Sequence, residues 1–348
     1  MKKVTNNVSK VFEGDRAITD FLTPGSLGMT PLVELPPSIN KFSKDGVRIF
    51  VKLMQFVPLG NIKSMPSWQM LSGMSKEELK STKHLVEYSS GNTVLSLAIL
   101  SRHFGIPNLH AIITPDVPEH KKRLLKLVGA DLLISHGPRS PDVHSNKGGV
   151  YEAKQLGLKK GWHNLNQYIN PGNIGAGEEY VAKELWSQLG SRLSIFAATI
   201  GTAGTIYGAG TYLKSKNKDI YVAGSSIKKG SSIPGPRVDE AILKLGIPWY
   251  DVVDQVIPID AVSAYERSLA LIRLGLFVGP STGMQLAMIE KMVKEMKVKK
   301  TLNKYRNKDK EVVIAFVACD MMHPYIDDYF SILPKKYFKD EHNLENNK

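Results

Sequence analysis

Phe56-Val-Pro-Leu-Gly-Asn-Ile-Lys63-Ser-Met-Pro66 is the stretch that decides the fold. It follows an apolar run, Val47-Arg-Ile-Phe-Val-Lys-Leu53, that reads as a strand. It ends in Ser64-Met-Pro66, which reads as a helix start with Ser64 as the N-cap and an early proline. Lys63 therefore falls at a strand–loop–helix junction, near the positive end of a helix dipole and among apolar neighbours. Both features disfavour the ammonium form and leave a more nucleophilic amine, of the kind that forms a Schiff base with an aldehyde. In a lysine-rich chain a loop lysine is most often simply solvated, so the meaning of Lys63 depends on what surrounds it in the sequence.

Outward from that junction, short apolar runs alternate with helical patterns. His84-Leu-Val-Glu-Tyr88 precedes a helical stretch at 93–104. A strand at 109–114, a helix at 118–128 and a strand at 131–135 follow. Further on come a helix at 177–189, a strand at 194–199, a helix at 206–214 and a strand at 220–223. A strand at 253–259, helices at 261–274 and 283–296, and the run Val312-Val-Ile-Ala-Phe-Val-Ala318 complete the series. This βαβ rhythm, with near-continuous apolar strands, predicts α/β architecture with parallel sheets covered by helices. At 348 residues the chain has room for two domains. The Gly/Ser/Lys-rich stretch 136–149 places a boundary near residue 150. The stretch 225–236 reads as a long functional loop. The residues after Lys335 read as a charged, frayed tail.

In open parallel sheets, ligands collect at the carboxyl ends of the strands. Three loops besides that of Lys63 belong there. Tyr88-Ser-Ser-Gly-Asn-Thr93 offers small residues for close backbone approach and an amide, Asn92, that both donates and accepts; it also reads as an ordinary capped strand–helix turn. Ile200-Gly-Thr-Ala-Gly-Thr205 opens a helix with two glycines and two threonines, a combination suited to a phosphate dianion. Neither a dinucleotide fingerprint nor a P-loop fits: the glycine spacing is wrong, and Lys63 follows Ile62, not glycine. Gly279-Pro-Ser-Thr-Gly283 reads either as a plain strand–helix turn or as a serine hydroxyl aimed into the crevice, with Gly283 allowing close approach to a ligand.

Composition removes other function classes. The net charge of +13 raises the question of nucleic acid, but the lysines are dispersed and no binding signature with interleaved aromatics occurs, so no nucleic-acid partner is expected. The N-terminus lacks an apolar core, and the apolar segment 193–210 is broken by glycines and threonines, so neither a signal peptide nor a membrane partner is expected. A single cysteine, Cys319, precludes an intrachain disulfide and fits a cytoplasmic setting. It reads as a buried structural thiol, or as a nucleophile if a histidine stands beside it. The nine histidines have no metal-ligand spacing, so no metal is expected.

Taken in order, the four loops resemble those of the fold-type II pyridoxal phosphate enzymes, specifically the cysteine synthase and cystathionine β-synthase family. The resemblance runs from Gly28-Met-Thr-Pro-Leu32 to about Asp320. It implies two three-layer α/β/α domains with mostly parallel twisted sheets and the cofactor, pyridoxal 5′-phosphate, in the crevice between them. The smaller domain would span 47–150 and carry the Asn92 loop. The larger would span 1–46 and 151–335, with 336–348 as the tail. Val57-Pro-Leu-Gly-Asn61-Ile-Lys63 is similar to the family's lysine loop, implying that Lys63 is the catalytic and Schiff-base lysine. By the same resemblance Asn92 binds the cofactor's 3′-oxygen. Ser89, Ser90, Gly91, Thr93 and Gln167 receive the substrate carboxylate. Gly201, Thr202, Ala203, Gly204 and Thr205 cradle the phosphate, and Ser281 faces the pyridine nitrogen.

A neutral hydroxyl at that nitrogen disfavours a long-lived quinonoid and suits loss of a β-substituent rather than transamination. The implied activity is β-replacement on an activated serine such as O-acetylserine. It proceeds through a Lys63 aldimine and an aminoacrylate that a small nucleophile, for example sulfide, attacks to give cysteine or a related amino acid. A β-elimination lyase of the serine or threonine ammonia-lyase type, and a non-catalytic cofactor-binding relative, stay open. Relatives of this kind are commonly homodimers. The chain departs from the family pattern at Val57, Asn61, Ser64, Met65, Met29 and Val94, and Ser225-Ser-Ile-Lys-Lys229 replaces the usual Val-Glu-Pro. The Lys228-Lys229 pair suggests an anionic donor such as a phosphorylated serine.

Overall fold

The computed structural model of the chain describes residues 10–339. The strands are β1 (Leu32–Glu34), β2 (Val47–Leu53), β3 (His84–Tyr88), β4 (Asn108–Ile113), β5 (Ala130–Ile134), β6 (Trp162–His163), β7 (Leu193–Thr199), β8 (Tyr221–Ile227), β9 (Gln255–Ile259) and β10 (Val312–Ala318). They form a six-stranded sheet in the order β1-β2-β10-β7-β8-β9 and a four-stranded sheet in the order β5-β4-β3-β6. Every ladder is parallel except β1 on β2.

The parallel arrangement follows from what the strands must bury. β10, at the centre of the large sheet, is covered at all seven positions, as an unbroken apolar run requires when helices pack on both faces. On one face lie the helices Ala261–Arg273 and Pro280–Val298, whose Ala264, Leu271, Met288 and Met292 join Ile49, Ile195 and Ile314 in one cluster. On the other lie Pro171–Gly177, its continuation to Leu189, and Gly204–Lys216, which meet Phe196, Val313 and Ala315. In the small sheet, Asn92–His103 and Ser64–Ser72 cover one face through Leu97, Leu100, Met70 and Leu71. Gly149–Gly157 covers the other through Val150 and Ala153.

Two glycines set how closely helices approach. A Cβ on Gly208 would stand 2.1 Å from the Ile174 carbonyl oxygen, and one on Gly283 would stand 2.0 Å from that of Ala264. Gly283, expected to admit a ligand, instead admits the backbone of the neighbouring helix.

The sheets do not follow the expected domain limits. Val47–Leu53, expected to open the small domain, pairs with β10 in the large sheet. The small sheet continues past residue 150, because β6 pairs with β3. β6 was invisible in the sequence: two residues carry no periodicity. Ser225, Ser226 and Ile227 finish β8 rather than opening a loop. Tyr337 and Phe338 pack against the cluster of Tyr265, Tyr325 and Tyr329, so the chain just beyond Lys335 is docked and not frayed. Residues 340–348 of the expected tail lie outside the described residues. No helix among the described residues is long and apolar enough to cross a membrane.

Candidate active site

The Lys63 loop is built by short-range bonding. Asn61 is buried, and its side-chain oxygen accepts from the Lys63 amide at 3.0 Å and from the Ser96 hydroxyl at 3.2 Å. Asn61, not Ser64, is therefore the side chain that turns the chain into the helix. Ser64 is already helical and donates its hydroxyl to the Asn61 carbonyl at 2.9 Å. The Ile62 amide donates to the Cys319 carbonyl at 2.7 Å, tying this loop to the end of β10.

The Lys63 amine lies 3.3 Å from the Thr202 hydroxyl oxygen. Loss of water around the amine is the main cause that brings its pKa down to about 8. The charge of Arg237 acts in the same direction, and Cys319 acts against it. A half-buried lysine whose amine is poised near pH 8 is a nucleophile in waiting.

Thr202 belongs to the turn between β7 and the helix Gly204–Lys216. Ala203 takes φ 70° there, and the amides of Gly201, Thr202 and Ala203 find no protein acceptor among the described residues. Free amides converging at a helix N-terminus form an anion cradle. Asn173 braces it, donating to the Thr202 hydroxyl at 2.8 Å and to the Gln167 carbonyl at 2.6 Å.

Gln167 faces the third loop. Its side-chain oxygen accepts from the Thr93 hydroxyl at 2.7 Å, its side-chain amide donates to the Tyr88 carbonyl at 3.2 Å, and its backbone amide donates to Glu87 at 3.3 Å. Glu87 is buried, and that burial raises its carboxyl to about 7 against the pull of the amides it accepts from. The Ser89 hydroxyl accepts from the Gly91 amide at 3.3 Å, while Ser89 and Ser90 keep some solvent access. Asn92 is the first residue of its helix and donates to the Asp320 carboxylate at 2.6 Å.

Ser281 is buried in the first turn of Pro280–Val298. The nearby Cys319 thiol donates to the Val317 carbonyl at 3.7 Å and accepts from the Gln285 side-chain amide at 3.8 Å, and burial pushes its pKa up to about 11. Cys319 is therefore a neutral thiol and not an activated nucleophile. Asp320, the next residue, is pushed by burial to about 6, with bonds from Tyr325 and Asn92 opposing the shift. Its backbone also accepts from the Gly279 amide at 2.9 Å.

The structure thus gathers Lys63, Thr202, Gln167, Thr93, Asn92 and Ser281 through a connected set of contacts. It adds Asn173, Glu87, Asp320 and Arg237, which the sequence reading did not single out. Asp320 had a signal: an acid two residues beyond the carboxyl end of the most buried strand sits where ligands collect. Asn173 and Arg237 had none, being one asparagine and one arginine in Pro/Gly-rich segments. Lys228 stands apart, on a cavity of about 310 Å³ that also includes Arg267, Lys291 and Lys294, and Lys229 is an exposed neighbour of Glu240. Among the described residues no His, Cys, Asp and Glu side chains cluster as metal ligands.

An aldehyde-seeking amine beside an amide-lined anion cradle, between two parallel α/β sheets, fits a ligand that carries both an aldehyde and a phosphate. The chain belongs to the family of pyridoxal-phosphate dependent enzymes, whose profile matches residues 24–308. Within it, the chain is similar to the cysteine synthase of Aquifex aeolicus, 30% identical over 275 residues that make up 78% of this chain and 82% of that protein. It is also similar to the N-(2-amino-2-carboxyethyl)-L-glutamate synthase of Cupriavidus metallidurans, 26% identical over 77% of this chain and 80% of that one. The crystal structure of O-ureido-L-serine synthase superposes with a TM-score of 0.73, covering 91% of this chain and 95% of that one at 23% identity, and so shares the fold. The protein is a pyridoxal phosphate enzyme of fold type II and of the cysteine synthase family.

Proposed function

We propose that the chain catalyses β-replacement on an activated serine, with Lys63 as the lysine that holds the cofactor and moves the substrate's Cα proton. The observation that carries the reading is the placement of a Lys63 amine with a pKa near 8 beside Thr202 of the anion cradle. When bound, pyridoxal phosphate supplies the electron sink that lets a Cα–H bond break and a β-substituent leave. The cradle amides of Gly201, Thr202 and Ala203 would hold the phosphate. Thr93 and Gln167, already bonded to each other, would orient the substrate carboxylate beside Ser89, Ser90 and Gly91. At its Nζ atom, Lys63 is largely neutral at mildly alkaline pH and so accepts a proton from Cα without first losing one of its own. Ser281 and the Cys319 thiol are neutral, which suits elimination at Cβ.

The names of two relatives support replacement over plain elimination. Cysteine and an N-(2-amino-2-carboxyethyl) amino acid are both three-carbon amino-acid units joined at Cβ to a new nucleophile. The experiment is a spectral and product screen. Purified protein with pyridoxal phosphate should show visible absorbance that borohydride abolishes while fixing the cofactor to Lys63. Addition of O-acetylserine, O-phosphoserine, serine or threonine should then change the spectrum, and sulfide should yield cysteine. Release of pyruvate or 2-oxobutyrate with no replacement product would assign a lyase, and a coloured protein inert to all donors would sink the enzymatic reading.

A further inference from the structure

Arg237 is a cation with no acidic partner among the described residues, on a segment tied to the chain just before the anion cradle. Its backbone is fixed: the amide donates to the Ile200 carbonyl at 3.0 Å, and the carbonyl accepts from Ile227 at 2.8 Å. The residue is thus tied to the chain immediately before the anion cradle. Its side chain donates to the hydroxyl of buried Tyr168 at 2.8 Å. Its charge lowers the pKa of Lys63 and acts on Tyr88 and Tyr168, so all three lie within its field. No carboxylate lies within ion-pairing distance among the described residues, and the Nε–H is shielded from water with no hydrogen-bond partner. An arginine held this way is a planar donor awaiting an anion, and a guanidinium meets phosphate or carboxylate in a bidentate manner. The cofactor phosphate already has the cradle amides, and the α-carboxylate has Thr93 and Gln167.

We infer that Arg237 receives a second anionic group brought by the substrates, either a phosphate ester leaving group on the serine donor or a carboxylate on the incoming nucleophile. The inference rests on the β-replacement reading and narrows it to an anionic substrate class. It also moves that specificity away from Lys228 and Lys229, which face elsewhere. A cation with no acid to balance it has a cost, because its charge opposes the protonated Lys63 amine. An anionic substrate removes that cost when it binds.

The test compares wild type, Arg237→Gln and Arg237→Lys as holoproteins. In the donor arm, kcat/KM is measured for O-phosphoserine and for O-acetylserine, each with sulfide. In the nucleophile arm, O-acetylserine is paired with glutamate or with sulfide. In one arm the kcat/KM ratio of the substrate that carries the extra phosphate or carboxylate to the one that lacks it should fall roughly tenfold to a hundredfold in Arg237→Gln, the range for a charge-assisted bond. Arg237→Lys should recover part of it. Direct titration of the holoprotein with O-phosphoserine or glutamate should show the same loss of affinity. Equal losses for substrates with and without the extra phosphate or carboxylate, in both arms, would overturn the proposal. So would a cofactor dissociation constant raised as much as the substrate's, since Arg237 would then serve the cofactor. If wild type turns over no donor in either arm, the β-replacement reading fails, while retained Arg237-dependent binding of O-phosphoserine or glutamate would still support the anion site.

Discussion

The Asn92 amide nitrogen and the Asp320 carboxylate lie 2.6 Å apart, joining the first helical residue after the small sheet's β3 to the residue two past the end of the large sheet's β10. The same carboxylate accepts from the Tyr325 hydroxyl, and the Asp320 backbone accepts from Gly279, two residues before Ser281. Asp320 thus clasps two of the site loops while its own β10 end receives the third through Ile62. With one Asn92 N–H committed to Asp320, the amide cannot flip, and the second N–H keeps a fixed direction.

Asp320→Ala is expected to leave Asn92 and Tyr325 without a charged acceptor, at a cost of about 1.5–3 kcal/mol. The small domain's loop should then sit loosely on the large one. A cofactor titration by fluorescence should show the dissociation constant rising about tenfold, and hydrogen exchange should quicken at the start of Asn92–His103. Unaltered values for both would show that the clasp is idle.

Capture of pyridoxal phosphate by the apoprotein should depend on the Lys63 amine being neutral. Its folded pKa is lowered from 10.5 to about 8, so the reactive form is gained as pH rises through that value. The capture rate, followed by absorbance, should climb between about pH 7 and pH 9 and then level. A climb centred near the ordinary lysine pKa of roughly 10.4 would refute the burial argument. Lys63→Ala should retain only weak, borohydride-insensitive binding.

Glu87 makes an opposite prediction for stability. Its folded pKa is raised from 4.5 to about 7. Below the unfolded value both states are protonated and the full contribution is present. As pH rises through about 7 the folded state must ionise in a buried place, and that contribution is lost, to the extent of about 3 kcal/mol. Glu87→Gln stays neutral, so the stability of the variant relative to wild type should improve between pH 4.5 and pH 7.5. Urea denaturation across that range measures it, and a flat difference would rule the shift out.

Gly283→Ala places a methyl group against the Ala264 backbone and should cost about 1–3 kcal/mol of stability. The visible absorbance of the holoprotein should be retained, because the collision is between two helices and away from the ligand. A variant that keeps its denaturation midpoint but loses cofactor would restore the expectation that Gly283 lines the crevice.

The sequence made much of this legible, and the reasons differ by element. β10 was visible as an unbroken apolar run, and β2, β3 and β7 as largely apolar ones, because most of their positions are buried on both faces. Lys63, Thr202 and Asn92 were visible because the backbone chemistry of a strand–loop–helix junction limits the residues that can occupy it. The domain limits were not, since β2 leads directly into the small domain's helices while pairing with β10, hundreds of residues away. Nothing local records a partner so distant. Ser64 looked like the cap because serine favours that role, yet it is already helical and Lys63 holds the cap position, with Asn61 turning the chain just ahead through a bond from the Lys63 amide. Asp320 and Arg237 gain their meaning only from the loops that fold around them.

β2 ends in the large sheet, while the helix that follows Lys63 sends Met70 and Leu71 into the core of the small one. Lys63 therefore stands on the seam. Were the two halves to rock against each other like the covers of a book, the spine would move least, and a tether fastened there would keep its cargo in register while the Ser89–Thr93 edge swept toward it.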